Sequence, residues 1–371
     1  MPFAAALSEH PLATHAVGEV VGEVLERIGP APDLAVLFAG AAHTGAMEDI
    51  AAAVQALLQP GVLVGCTAST IVGGGREVED AGGLSLWAAR GIDARPIRFP
   101  GTVSIPAGTC ALLVLADPYT FPVDDLLTKV GAIPVVGGLA SAGRGPGGNR
   151  LVLDGRVFVD GAVAVALDGE MGAVVSQGCR PIGEPLIITS GEGSLVHELA
   201  GRPALERVQE VLASLSPADL EAARAGLHVG RVVDESKATF GPGDFLIRNV
   251  LGADRDRGAV AIGDDVVVGS TIQFQVRDAG TADEELRQLM AGRSADGALV
   301  FTCNGRGTAL FGEPDHDASV VTDALGGAPV AGMSCAGELG PVGGRSFLHG
   351  FTASVALFHE RTVPGAPRTP G

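Results

Sequence analysis

Val135-Val-Gly-Gly138-Leu-Ala-Ser141-Ala-Gly143 is a short apolar strand that runs into a turn of small residues. Upstream of it lie another apolar strand, Leu112-Leu-Val-Leu115, and a helical stretch over Val123–Val130. The same order occurs twice more. Leu34-Ala-Val-Leu-Phe38 leads through Met47–Leu58 to Val62-Leu-Val-Gly65-Cys66-Thr67-Ala68. Ala298-Leu-Val-Phe-Thr-Cys303 leads through Ala318–Leu325 to Pro329-Val-Ala-Gly332-Met-Ser-Cys335-Ala-Gly337. Each copy ends in strands, at Leu84–Ala88, Arg150–Leu167 and Ser346–Phe358. Continuous apolar strands need cover on both faces, from helices or from a second sheet. The sequence therefore predicts an α/β protein of mixed sheets (α+β in texture). Its plan is two related lobes of repeated strand–helix–strand–hairpin modules with flanking helices. A face-to-face pair of sheets with helices outside is the rival. In every copy the small-residue turn is where a backbone approaches a ligand most closely.

Composition narrows the classes. With 371 residues the chain is long enough for two domains and a sizeable core. A net charge of −18 argues against nucleic acid, which needs clustered Lys and Arg. No apolar run approaches the ~20 residues of a membrane helix, and no basic segment followed by an apolar one marks a signal peptide. Five cysteines without regular spacing suit a reducing interior better than a disulfide framework, so the expected compartment is the cytoplasm.

Between the repeats the texture changes. Ala16, Val20, Val24 and Ile28 recur at helical spacing and stop at Gly29-Pro30. Asp154-Gly155 and Asp160-Gly161 are pairs that two-residue hairpin turns require. Pro203 and Ser216-Pro217 open helices, so 195–226 is expected to be a helical connector. Phe245–Arg248 and Ala259–Arg277 are expected strands, and Thr281-Ala-Asp-Glu284 has the form of a capping box. The tail 361–371, rich in Pro and Gly, is expected to be disordered.

Candidate site residues cluster in the third copy. Cys303-Asn304-Gly305-Arg306-Gly307 follows a buried strand, at the strand end where α/β sheets bind ligands. Arg306 presents a planar fork suited to a carboxylate, and Asn304 both donates and accepts. The bland alternative is a glycine turn with Arg306 paired to a structural acid. Ser334, Cys335 and Glu338 end the paired strand, with Glu338 either receiving an ammonium or hydroxyl or tying down the glycine loop. Cys303 or Cys335 as nucleophile with His316 or His349 as base is a second class of reading, a thiol enzyme on a small amide or ester. No metal spacing is present, no cofactor motif is complete, and neither Gly73-Gly-Gly-Arg76 nor Gly143–Arg150 ends as a phosphate loop does. A scaffold that only engages a partner protein is the third reading.

These words together resemble the FIST family (F-box and intracellular signal transduction proteins). The amino-terminal pattern is carried by Val64-Gly65-Cys66-Thr67, Gly178-Cys-Arg-Pro-Ile-Gly183 and Glu198-Leu-Ala-Gly-Arg-Pro-Ala-Leu205. The carboxyl-terminal one is carried by Gln273–Asp278, Phe301–Gly307, Gly337-Glu338-Leu-Gly340-Pro341 and His349-Gly-Phe-Thr352. The resemblance implies a FIST N-terminal-like domain over 30–194, the connector over 195–226, and a FIST C-terminal-like domain over 227–360. It also implies a sensor of a small ligand, such as an amino acid or similar carboxylate metabolite. That sensor would be non-catalytic and would act through a signalling protein partner, with no nucleic acid or membrane involved. Arg306 and Asn304 would hold the anionic end, Glu338 the cationic one, and Cys303, Ser334 and Cys335 would complete the shell.

Overall fold

The computed structural model describes residues 2–241 and 243–360; the expected disordered tail lies outside the described residues. The chain divides into two compact units. One runs to Val174 and resumes at Met290–Leu348 and from Ala353 onward, while the other holds Val175–Leu289 and His349–Thr352. Mixed sheets flanked by helices make up the α/β architecture, as expected. The chain is partitioned differently from the expectation, however. All three modules, apart from His349–Thr352, lie in the first unit. The stretch 195–226 contributes a strand, Leu195–Leu199, and two helices, Ala204–Ser214 and Pro217–Ala225, to the second. Periodicity marks a helix but does not say which core it packs on.

Each module builds a six-stranded sheet on one plan. The first sheet runs in the order Phe3–Ser8, Leu84–Ala89, Leu34–Gly40, Val62–Ala68, then Leu151–Leu153 and Arg156–Phe158. The second runs Ala94–Phe99, Ala162–Leu167, Ala111–Ala116, Val135–Leu139, then Glu338–Val342 and Arg345–His349. The third runs Gly172–Ser176, Ala353–Phe358, Gly297–Cys303, Val330–Cys335, then Thr70–Gly73 and Arg76–Glu79. The two inner strands of every sheet are parallel, joined by the module's own helix. The terminal hairpin of every sheet comes from a different module. The first module's hairpin completes the third sheet, the third's completes the second, and the second's completes the first.

Strand alternation sorts the core. Leu34, Val36 and Phe38 point into one cluster with Leu113, Leu115, Leu299 and Phe301, so all three sheets face a common interior. Ala35, Leu37 and Ala39 point outward, against the helices Ala13–Ile28 and Met47–Leu58. Leu112 and Val114 likewise meet the helix Val123–Val130. Cover comes from helices on one face and from the other sheets on the opposite one.

The parallel strands approach so closely that a side chain is excluded at one matching position in each module. A Cβ on Gly65 would lie 2.3 Å from the Leu37 carbonyl oxygen. On Gly137 it would lie 1.9 Å from that of Val114, and on Gly332 2.0 Å from that of Val300. Turn chemistry was partly as expected. Asp154 and Gly155, at φ 48° and 73°, close the Leu151–Phe158 hairpin. Asp160-Gly161 is no hairpin turn, because it carries the chain from the first sheet to the second. Ser216 caps its helix through Asp219 N (3.1 Å). The expected capping box at Thr281 is displaced: the helix starts at Ala279, and Asp278 accepts from Thr281 N at 2.8 Å.

The second unit is an antiparallel sheet whose pairings close on themselves. Cys179–Glu192 pairs Thr271–Arg277 at one side and Leu195–Leu199 at the other, with His228–Val232, Phe245–Asp254 and Ala259–Ile262 between. Ile182, Val196, Val229, Ile272 and Phe274 form its core with Val208 of the helix Ala204–Ser214.

Candidate functional site

Small residues at the carboxyl ends of the second inner strands bring three serines together, one from each module. Ser334 Oγ lies 2.9 Å from Ser69 Oγ, which donates to Asn304 Oδ1 at 3.0 Å. Ser141 Oγ donates to the Ser334 carbonyl (2.6 Å) and accepts from Ser69 N (3.0 Å). Thr70 N donates to Ser334 Oγ at 3.0 Å. With the Ser141 and Ser69 protons already directed, Ser334 is left to donate to Ser69. The order Ser334, Ser69, Asn304 fixes the Asn304 side chain by its carbonyl oxygen and turns its amide outward.

Beside this relay is a cavity of about 130 Å³. The exchanged hairpin of the first module supplies Ser69, Thr70, Glu77, Glu79 and Asp80 to its walls. The third module supplies Thr302, Cys303, Asn304, Arg306, Gly307, Ala309 and Ser334. Arg306 is chelated from below by Asp317. Its Nε donates to Oδ2 at 2.6 Å and its Nη2 to Oδ1 at 2.8 Å, and both side chains are fully buried. Thr302 Oγ1 (2.6 Å) and His316 Nδ1 (3.0 Å) also contact that carboxylate. Burial alone would raise the Asp317 pKa, but the Arg306 charge and these hydrogen bonds outweigh it and hold the carboxyl well below its usual range. The bland alternative for Arg306 is therefore the geometry found.

The carboxylates are anchored through backbone. Glu77 is 5% exposed, and its Oε1 accepts from Ala318 N at 2.9 Å. Glu79 Oε1 accepts from both Thr308 N and Thr308 Oγ1 at 2.9 Å. Gly307, at φ 62°, leaves room for them: a Cβ there would sit 2.6 Å from Glu79 Oε1. Burial, reinforced by the charges of Asp317, Glu79 and Asp315, pushes the Glu77 carboxyl up to about 7.

Of the residues expected from sequence, Cys303, Asn304, Arg306 and Ser334 line the cavity, while Cys335 and Glu338 are absent from its walls among the described residues. Glu338 is fully buried on the exchanged hairpin, paired in register with Gly138 of the second sheet. Cys335 is wholly buried, and burial first, then Glu338, raises its thiol pKa well above the usual value. Cys66 is raised by burial as well. His316 stacks on Phe311 and is engaged by Asp317, and His349 belongs to the second unit. Alkylation near neutral pH is expected to label the exposed Cys110 quickly and to leave Cys66 and Cys335 untouched until the protein unfolds. Labelling of Cys335 at the Cys110 rate in folded protein would revive the thiol-enzyme reading.

Sequence reasoning missed Ser69, Glu77, Glu79, Asp80 and Asp317. The alternation Glu77-Val78-Glu79 reads as an ordinary half-exposed strand. Only the exchange of hairpins brings it against Gly307.

No helix among the described residues is long and apolar enough to cross a membrane. Uncharacterized proteins from two strains of Mycobacterium tuberculosis are each 44% identical to the chain over 384 residues, covering 96% of it and all of their own length. An uncharacterized protein of Mycobacterium bovis is 45% identical over 375 residues, covering 94% of this chain and 96% of its own. The FIST N domain profile matches residues 33–202 and the FIST C domain profile residues 204–341, so the boundary between them falls inside the second compact unit. The chain thus belongs to the FIST family of sensory, signal-transduction domains.

Proposed function

We propose that the chain is a non-catalytic sensor that holds a small polar metabolite in the cavity between Ser69–Asp80 and Thr302–Ala309, and that it reports the bound state to a separate signalling protein. The observation that carries this reading is the serine relay. Groups from three modules converge to orient one exposed amide, Asn304, at the carboxyl ends of parallel strands, where such sheets bind ligands. Family membership supports the sensory role. Burial of Cys66 and Cys335 and the engagement of His316 by Asp317 favour binding without turnover. A carboxylate ligand would have to compete with Asp317 for Arg306, so the amide and hydroxyls are the better recognition groups.

Native mass spectrometry of gently purified protein, followed by a thermal-shift screen of small polar metabolites, is the direct test. A double variant, Asn304→Ala with Ser334→Ala, should bind the ligand so found about tenfold more weakly, the loss of one or two neutral hydrogen bonds. Unchanged affinity in a folded double variant would remove this cavity from consideration.

A further inference from the structure

We infer that the cavity takes a small primary ammonium compound that carries no carboxylate, with Glu77 as the group that meets its charge. This inference rests on the binding role proposed for the cavity and deepens it.

The walls set the sign. Glu77, Glu79 and Asp80 contribute three carboxyl groups, while the cation among the wall residues, Arg306, has its Nε and Nη2 committed to Asp317. An anionic ligand would meet like charges at short range and gain little from Arg306. A cation meets acceptors on several sides: the carboxylates and the hydroxyls of Ser69 and Ser334.

One acceptor is more than part of an acidic cluster. Glu77 is nearly fully buried, and its Oε1 is occupied by Ala318 N. Among the described residues no protein donor reaches Oε2, which lies 3.4 Å from where a Cβ on Gly307 would stand. That oxygen opens onto the cavity and is not sealed off, so a carboxylate only 5% exposed keeps one acceptor for a donor held there. Its neighbours favour a cationic donor: Asp315 accepts from the Glu77 backbone N, Glu79 lies two residues on, and Asp317 faces it with Arg306 and His316 bound behind. Arg76, on the same strand, is exposed and paired with Glu9.

Two further observations choose among cations. No three His, Cys, Asp or Glu residues among those described stand close enough to hold a metal ion. A volume of about 130 Å³ accommodates about four water-sized groups, which suits a short hydroxyalkyl ammonium, its N–H groups on Glu77 and its hydroxyl on Asn304 or Ser334.

Proton linkage gives a signature that a merely structural Glu77 would lack. In the free protein the carboxyl titrates near 7, so it is largely neutral in mild acid, and a cation must drive its proton off. Affinity should therefore rise with pH, by about tenfold between about pH 6 and about pH 8. Binding near pH 7 should also release protons, seen as a heat that depends on the buffer.

Calorimetric titration of the full chain with ethanolamine, glycine and acetate tests this. Ethanolamine should bind, more tightly at the higher pH, and acetate and glycine should not. Glu77→Gln should lower its affinity by about tenfold to a hundredfold at about pH 8, the loss of one charge-assisted contact, and should abolish the pH dependence. That variant should still fold. The folded carboxyl keeps its proton to higher pH than the unfolded one, so native stability falls as pH rises through this window, and the amide removes the penalty. Absence of ethanolamine binding, or binding indifferent to Glu77→Gln, overturns the inference. Acetate or glycine binding that is lost on Asn304→Ala with Ser334→Ala would overturn the ammonium class while keeping the cavity. Ethanolamine binding that survives both sets of substitutions would overturn the cavity as well.

Discussion

Asp317→Ala is expected to destabilise the protein by about 3–5 kcal/mol, because it leaves the Arg306 guanidinium buried and uncompensated. Both side chains are wholly enclosed, and two hydrogen bonds of 2.6 and 2.8 Å join them in parallel. Arg306→Ala should cost a similar amount for the reciprocal reason. Replacing both partners together, as Arg306→Met with Asp317→Leu, should recover most of the loss, since an apolar pair of comparable size needs no desolvation. Urea denaturation of the four proteins checks this. A melt of Asp317→Ala within about 1 kcal/mol of wild type would mean that the pair is neither buried nor important. The pH dependence has a definite sign. The folded Asp317 carboxyl is held below its unfolded value, so its contribution is full at neutral pH and drains away only as the pH falls toward that depressed folded value. The double variant also separates fold from recognition. If it folds and still binds the ligand, Arg306 has no part in holding it.

Alanine at Gly137 or Gly332 is expected to cost more than about 4 kcal/mol and to leave little soluble protein. The added carbon would lie 1.9 Å from the Val114 carbonyl oxygen in one case and 2.0 Å from that of Val300 in the other. Both obstacles are backbone in the middle of a parallel pair, so no rotamer change relieves them and the sheet itself must shift. Gly65→Ala, at 2.3 Å from Leu37 O, belongs to the same class. Gly22→Ala is the control. It lies inside the helix Ala13–Ile28 with nothing within 4 Å of the new carbon, and should stabilise by about 0.5–1 kcal/mol. Thermal melts of the soluble variants, with expression yields for the rest, decide the matter. A folded Gly332→Ala with a melt like wild type would show that the strands are not as close as this geometry has them.

The order of strands and helices was legible because apolar runs and their breaks are local properties. Leu34–Phe38, Leu112–Leu115 and Ala298–Cys303 are inner strands for the same reason that they read as such: each is apolar on both faces, and each is covered on both. The repeated glycine before each small-residue turn was visible too, although its cause, a neighbouring carbonyl, was not. Partnership is a different kind of information. Nothing in Thr70–Glu79 says that it pairs with Val330–Cys335, across more than half the chain, instead of with its own module. The site inherits that blind spot. Asn304 and Ser334 were found because they end inner strands. Glu77 and Glu79 were missed because they arrive on a hairpin from elsewhere, and Asp317 because on its own helix it reads as an ordinary first-turn acid.

The cyclic exchange of hairpins also governs how the molecule comes into being. On the ribosome the first two modules are finished long before the third, yet neither can be completed in the way a self-contained domain is. The Thr70–Glu79 hairpin emerges with no sheet to join, and Val135–Leu139 stays a bare parallel edge until Glu338–Val342 is synthesised. Contacts of such long sequence separation form slowly, and an apolar strand with unpaired backbone is what other chains add to. The ring closes only once residues 338–358 have been translated. Until then the growing protein exposes an unpaired apolar edge, and from then on its three sheets stand or fall together.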